Sequence, residues 1–446
     1  MIPWRPRVTA ETVGLARTMA LGALGPALTF VALFALPLGA AALLSTTEFA
    51  MWTVLSTITT ISVTLDLGGT ALVMARWRLE RRGPLLRRAA VLSGAGSVLV
   101  GVVAAIAFVP FSRTAAAAAF TFVEGLAAIG LVTVGCTVRS AVTVLAQAAL
   151  SDGRFRARTV LFTTQAFGAA VLALALAAVT GSAWALPLGW SAASTLTFAG
   201  GLVWTLRSDL LRGGPTVAAL PDGAHRVSRF AWARTGETVL SSLLVQSDRW
   251  IVGALGGPHV LAAYEIAARL ASMPKFLSFQ LAPAVAGQAV ESAVVARRPA
   301  EVRAVLRRGL AVCAAAMLAA SVAFTVGYPL AAAFTHVDVV WPVFAAMLVA
   351  YFLYGLTSPV TVVGISVDRP AIDVPFLLLA LVGAAAATAA AFATGDVAIY
   401  VVGNLAALTV GALWFFRYAP ATVAARARAL AVADVLVPST PGATRA

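Results

Sequence analysis

Long apolar runs, each closed by arginines, repeat along the whole chain and dictate its fold class. The run 89–110 carries no charged side chain and follows Arg81, Arg82, Arg87 and Arg88. A helix needs about 20 apolar residues to cross a hydrocarbon core. Cutting at charges and Pro/Gly breaks predicts twelve spans, near 18–44, 48–75, 89–110, 116–150, 159–179, 183–206, 228–254, 260–290, 308–334, 340–363, 371–393 and 397–416. A soluble globule cannot hide this composition, 61% hydrophobic and 11% charged, because apolar surface outgrows the core that could bury it. The sequence therefore predicts an all-α polytopic membrane protein. Residues 1–206 form one six-helix bundle and 228–416 a second. The Gly/Pro-containing stretch 207–227 is a cytoplasmic linker, and 417–446 a disordered cytoplasmic tail.

The arginines set the orientation. With twelve spans, 26 of them fall in the termini and even-numbered connections, whereas the opposite connections hold Arg113 alone. Positive residues stay on the cytoplasmic side, so both termini are expected there, in a bacterial inner membrane. The formal charge of +14 is then a membrane-face signal, and no nucleic-acid partner is expected. The opening run is too long for a cleavable signal peptide.

Single-residue counts exclude several chemistries. Lys275 is the only lysine and follows Pro274, so no Walker A loop exists. His225, His259 and His336 are isolated, Cys136 and Cys313 lie in apolar runs, and no zinc-ligand spacing occurs; no cofactor is expected. The outer connections, such as Ser45–Thr47, Thr180–Ser182 and Leu255–His259, are too short to hold the catalytic carboxylates of a membrane glycosyltransferase or polymerase.

Charges inside spans are costly and face a bundle interior or water. Arg139, Arg234, Arg249, Arg269 and Lys275 are internal, balanced by Asp66, Glu124, Glu237, Asp248 and Glu265. At about 100° per residue, Arg234, Glu237, Ser241 and Asp248 share one face of the seventh span, and Glu265, Arg269, Ser272 and Phe276 one face of the eighth. Glu265 to Arg269 is i,i+4 with the acid first, the favourable order. The two spans run antiparallel, so Asp248 and Arg249 approach the depth of Glu265 and Arg269. Such a ladder either locks the hairpin or lines a cavity. Arg139 reads as interfacial, and the lone Asn404 as half of an interhelical hydrogen bond.

The halves echo each other. Thr47-Glu48-Phe49-Ala50-Met51-Trp52 opens the second span, which later carries Asp66-Leu67-Gly68-Gly69; Gly256-Gly257-Pro258-His259 leads to Tyr264 in the eighth. Repeats of this kind are typical of alternating-access transporters. With Ser247-Asp248-Arg249 and Gly253, these residues resemble the polysaccharide-transporter branch, including O-antigen and teichuronic-acid type flippases, of the multidrug/oligosaccharidyl-lipid/polysaccharide exporter superfamily. Ala50-Met51 stands where that family usually has a small glycine.

The resemblance implies two six-helix bundles in a V around a central cavity, without ATP hydrolysis. It also implies transport of an undecaprenyl-diphosphate-linked oligosaccharide for cell-surface polysaccharide, lipopolysaccharide among them. Expected partners are that lipid-linked oligosaccharide, membrane lipids, a polysaccharide polymerase and glycosyltransferases. Arg234, Arg269, Lys275 and Arg249 are then the expected substrate contacts, and Glu237, Asp248, Glu265 and Asp66 their charge partners or gates. Glu237, Asn404 and Thr409 match a cation site of related flippases. A cation-coupled drug exporter of the same superfamily is the first alternative, and an integral-membrane glycosyltransferase or polymerase the less favoured one.

Overall fold

The computed structural model describes residues 31–32, 34–77, 80–212, 223–282, 299–367 and 369–436, and all regular secondary structure among them is helical. The first helices are α1 (Phe34–Leu43), α2 (Thr46–Thr64), α3 (Gly69–Arg76), α4 (Arg82–Phe111), α5 (Phe122–Ser151), α6 (Phe155–Thr180) and α7 (Ala185–Arg207). They are followed by α8 (Gly223–Ala282), α9 (Pro299–Thr335), α10 (Trp341–Ser366), α11 (Val374–Thr394) and α12 (Val397–Leu436).

Nine stretches among the described residues are long and apolar enough to cross a membrane. Three features separate this count from the expected twelve. The span 18–44 falls largely outside the described residues. Helix α7 is long enough at 23 residues, but Ser191, Ser194, Thr195 and Thr197 make it less apolar. The spans 228–254 and 260–290 form one continuous stretch, Thr235–Ala282, interrupted only at Gly257.

That interruption is a chain reversal. Arg249 and Glu265 are 16 residues apart, which a straight helix would stretch to about 24 Å, yet their side chains meet at 2.9 Å. Gly257 makes the turn with φ 74° and ψ −174°, a conformation almost restricted to glycine because it has no Cβ. The expected antiparallel hairpin is therefore present, without a loop.

Other boundaries differ from expectation for local reasons. The 48–75 span breaks between α2 and α3, where Leu67 (φ 44°) and Gly68 (φ 82°) adopt left-handed backbone. The Asp66 carboxylate makes this break possible. It accepts from Gly68 N–H at 2.9 Å, from Thr70 N–H at 2.9 Å and from the Thr70 hydroxyl, serving as the cap that α3 otherwise lacks. The 417–446 tail is not disordered throughout: α12 continues to Leu436, since Ala-rich sequence with arginines favours helix. Glu124 is not an internal charge. It sits in the first turn of α5 in a capping box with Thr121, Thr121 N–H donating to its carboxylate at 2.8 Å. Ser45 and Glu48 form the same device on α2, and Glu48 Oε1 also accepts from Ala183 N–H at 3.0 Å, tying α2 to the α6–α7 turn.

The chain forms two compact units. The first is Met1–Thr235 with Gly257–Ala262; the second is Gly236–Gly256 with Ala263–Ala446. The division falls inside α8, later than the 207–227 connection. In the first unit, buried hydroxyls and amides join helices: Ser97 to Ser140 at 2.8 Å between α4 and α5, and Gln165 to Ser194 at 2.9 Å between α6 and α7. In the second, aromatic rings fill the core, with Tyr328 stacked on Phe344 at 4.3 Å and Phe376 against Phe415 at 5.1 Å.

Candidate functional site

The α8 hairpin places four charges in one buried network inside the second unit. Arg249 Nη1 donates to Asp248 Oδ1 at 2.6 Å and also to the Val245 carbonyl, while its Nε donates to Glu265 Oε2 at 2.9 Å. Arg269 Nε donates to Glu265 Oε1 from one turn below, and the Tyr264 hydroxyl donates to Asp248 Oδ2 at 2.7 Å. Asp248 and Glu265 are each 1% exposed, so these carboxylates depend on protein partners. Two acids and two bases make the quartet neutral. Arg249 gives both Nε and Nη1 to the network; among the described residues Arg269 gives only its Nε and is the more exposed of the two.

Lys275 lies ten residues beyond Glu265 on the same arm and is in a different situation. Its side chain is buried, and its ammonium makes no ion pair or hydrogen bond among the described residues. Four aromatic rings surround it instead, with Nζ 4.9 Å from the Tyr351 centroid, 5.0 Å from Tyr354, 5.6 Å from Phe276 and 5.9 Å from Phe279. Helix α10 reaches this position because Gly355 lies against the Lys275 backbone, where an added Cβ would stand 3.0 Å from Lys275 Cα. The Ser278 hydroxyl fastens the approach by donating to the Gly355 carbonyl at 2.7 Å. The Lys275 amine is therefore held by π faces, and no carboxylate among the described residues pairs with it. Cation–π contacts offset about 2 kcal/mol or more of the desolvation when water is excluded, whereas an unpaired buried ion costs several.

The remaining expected residues lie elsewhere. Arg234 belongs to α8, but its side chain lies outside the described residues. Glu237, on the first arm of the hairpin, is half-buried and engaged. Asp66 is in the first unit, occupied in capping α3. Asn404 is buried, and its Oδ1 has no hydrogen-bond partner among the described residues, in contrast to the interhelical bond expected of it. Thr409 is five residues further along α12, about 140° around the helix, so the two do not share a face. Arg139 sits near the middle of α5, over the Trp190 ring at 5.5 Å, and lines a small cavity with Asp66, Ser62 and Ser93.

Tyr351, Tyr354 and Phe279 are the site residues that sequence reasoning missed. The available signal was the Tyr-x-x-Tyr spacing at 351 and 354, which places both rings on one face of α10.

Residues 40–336 match the profile of a family described as "Polysaccharide biosynthesis protein". The chain belongs to that family. No curated protein matches it by sequence. Among solved structures it is similar to an inward-facing multidrug resistance MATE family transporter of the MOP superfamily, with TM-score 0.61 at 12% identity over 89% of this chain and 98% of the other. It is also similar to the Vibrio cholerae MATE transporter VcmN in the bent form (TM-score 0.56, 12% identity, 93% and 99% covered). A eukaryotic MATE transporter, AtDTX14, gives 0.55 at 13% identity, with 94% and 100% covered. At such identities the likeness establishes the fold.

Proposed function

We propose that the protein flips a lipid-linked oligosaccharide, carried on a polyprenyl diphosphate, from the cytoplasmic to the outer leaflet of a bacterial cytoplasmic membrane. The arginine-rich connections face the cytoplasm in this reading. The observation that carries it is the unmatched Lys275 ammonium beside a neutral charge quartet. A buried cation without a counter-ion is costly unless something supplies one, and a diphosphate does so through charge-assisted hydrogen bonds. Arg269, whose terminal nitrogens are not committed to Glu265, is the second contact. Asp248, Arg249 and Glu265 hold the hairpin that presents both.

Reconstitution tests the reading directly. Purified protein in vesicles should move a fluorescent polyprenyl-diphosphate oligosaccharide between leaflets, and deletion should leave the lipid-linked intermediate on the inner leaflet. Loss of drug resistance with normal surface glycan would instead identify a drug exporter and overturn the proposal. Sugar transfer by the purified protein would identify an enzyme.

A further inference from the structure

In the first unit, helices α6 and α7 leave a groove of about 900 Å³ between them that reaches their arginine-rich ends. Its walls are apolar, with Phe155, Val160 and Leu196 all more than half exposed along it. Its depth comes from missing side chains. Gly168 on α6 and Gly200 on α7 line it, and a Cβ added at either would meet nothing within 4 Å. The stretch with both walls runs from Trp204 back to Ala193 on α7, about 16 Å at 1.5 Å per residue. That is close to half of a ~30 Å hydrocarbon core, the depth of one leaflet.

The mouth is basic. Arg154 and Arg156 both line it. Asp152 does not neutralise it, because this one carboxylate is shared between Arg154 at 2.8 Å and Arg82 at 3.0 Å. Arg154 also lies over the Trp204 ring at 6.0 Å. Arg156 is exposed and makes no ion pair or hydrogen bond among the described residues. A single-leaflet apolar slot ending in an arginine with no partner is complementary to one kind of molecule, an amphiphile with acyl chains and an anionic head. Basic pockets between transmembrane helices are where acidic lipid headgroups bind.

We infer that the α6–α7 groove is a binding site for an anionic phospholipid, its chains between the helices and its phosphate on Arg156 and Arg154. The site is separate from the α8 charge network and does not depend on the transport reading. The test is native mass spectrometry of the full chain released from nanodiscs of phosphatidylglycerol or of phosphatidylcholine. One phosphatidylglycerol should remain bound, and no phosphatidylcholine. Arg156→Gln should weaken retention about fivefold, the effect of one interfacial arginine. Gly168→Leu with Gly200→Leu should empty the groove with every arginine intact. Because both side chains enter open space, this variant should keep its thermal stability, which separates loss of lipid from loss of fold. Equal retention of the two lipids, or retention that survives the double leucine variant, would overturn the assignment. So would displacement of phosphatidylglycerol by an equal amount of polyprenyl phosphate, or a dimer closing the groove without lipid.

Discussion

Arg249 and Lys275 lie on the same hairpin with the same charge and opposite energetics. Arg249 is matched by two carboxylates, so Arg249→Met leaves the buried Asp248 without an ion-pair partner and Glu265 with Arg269 alone. The expected loss is about 3–5 kcal/mol, seen as a large drop in melting temperature in detergent. Lys275 is matched by none among the described residues. Lys275→Met should hold or raise the melting temperature while lowering flipping at least tenfold. Unchanged flipping in that variant would remove the basis of the proposed function. Part of this contrast was legible in the sequence. The i,i+4 spacing of Glu265 and Arg269 and the antiparallel register bring Asp248 and Arg249 to their level on periodicity alone. The aromatic cage was not, because Tyr351 and Tyr354 lie more than 70 residues from Lys275 and only packing joins them.

At the scale of elements, the spans were readable and the breaks were not. Hydropathy reports how long a stretch stays apolar, and a single turn of non-helical backbone leaves it unchanged. Thus 48–75 read as one helix although Asp66 caps a new one within it, and the reversal at Gly257 appeared as a short loop. Both breaks can be tested. Asp66→Ala removes the α3 cap and should cost about 1 kcal/mol, while Asp66→Asn, which keeps one acceptor oxygen, should cost less. Gly257→Ala forces a Cβ into a glycine-only conformation and should cost about 1–3 kcal/mol. Thermal unfolding of the purified variants measures each. A Gly257→Ala protein as stable as wild type would mean that the hairpin turn relaxes to another geometry.

For the whole molecule, charge asymmetry makes a topological prediction. Arg113→Cys should react with a membrane-impermeant maleimide from outside intact cells, and Asp209→Cys only after permeabilisation; the reverse pattern would invert the orientation. Cys136 and Cys313 are both buried, so the labelling needs no prior removal of native thiols. The Gly/Pro-containing stretch 207–227 is where sequence reading places the division of the chain, whereas the two units part inside α8. A helix shared by two units has no composition shift to mark the boundary.

The caged lysine has a spectroscopic consequence. Because the chain contains a single lysine, feeding cells lysine labelled with ¹⁵N at Nζ gives one side-chain ammonium resonance per molecule. That nucleus lies among four aromatic rings whose magnetic anisotropy displaces its chemical shift from the solution value. A phosphate arriving at the ammonium, or α10 withdrawing from α8, would change the ring positions and move the line. Occupancy and conformational exchange can therefore be followed at this one atom without an attached probe.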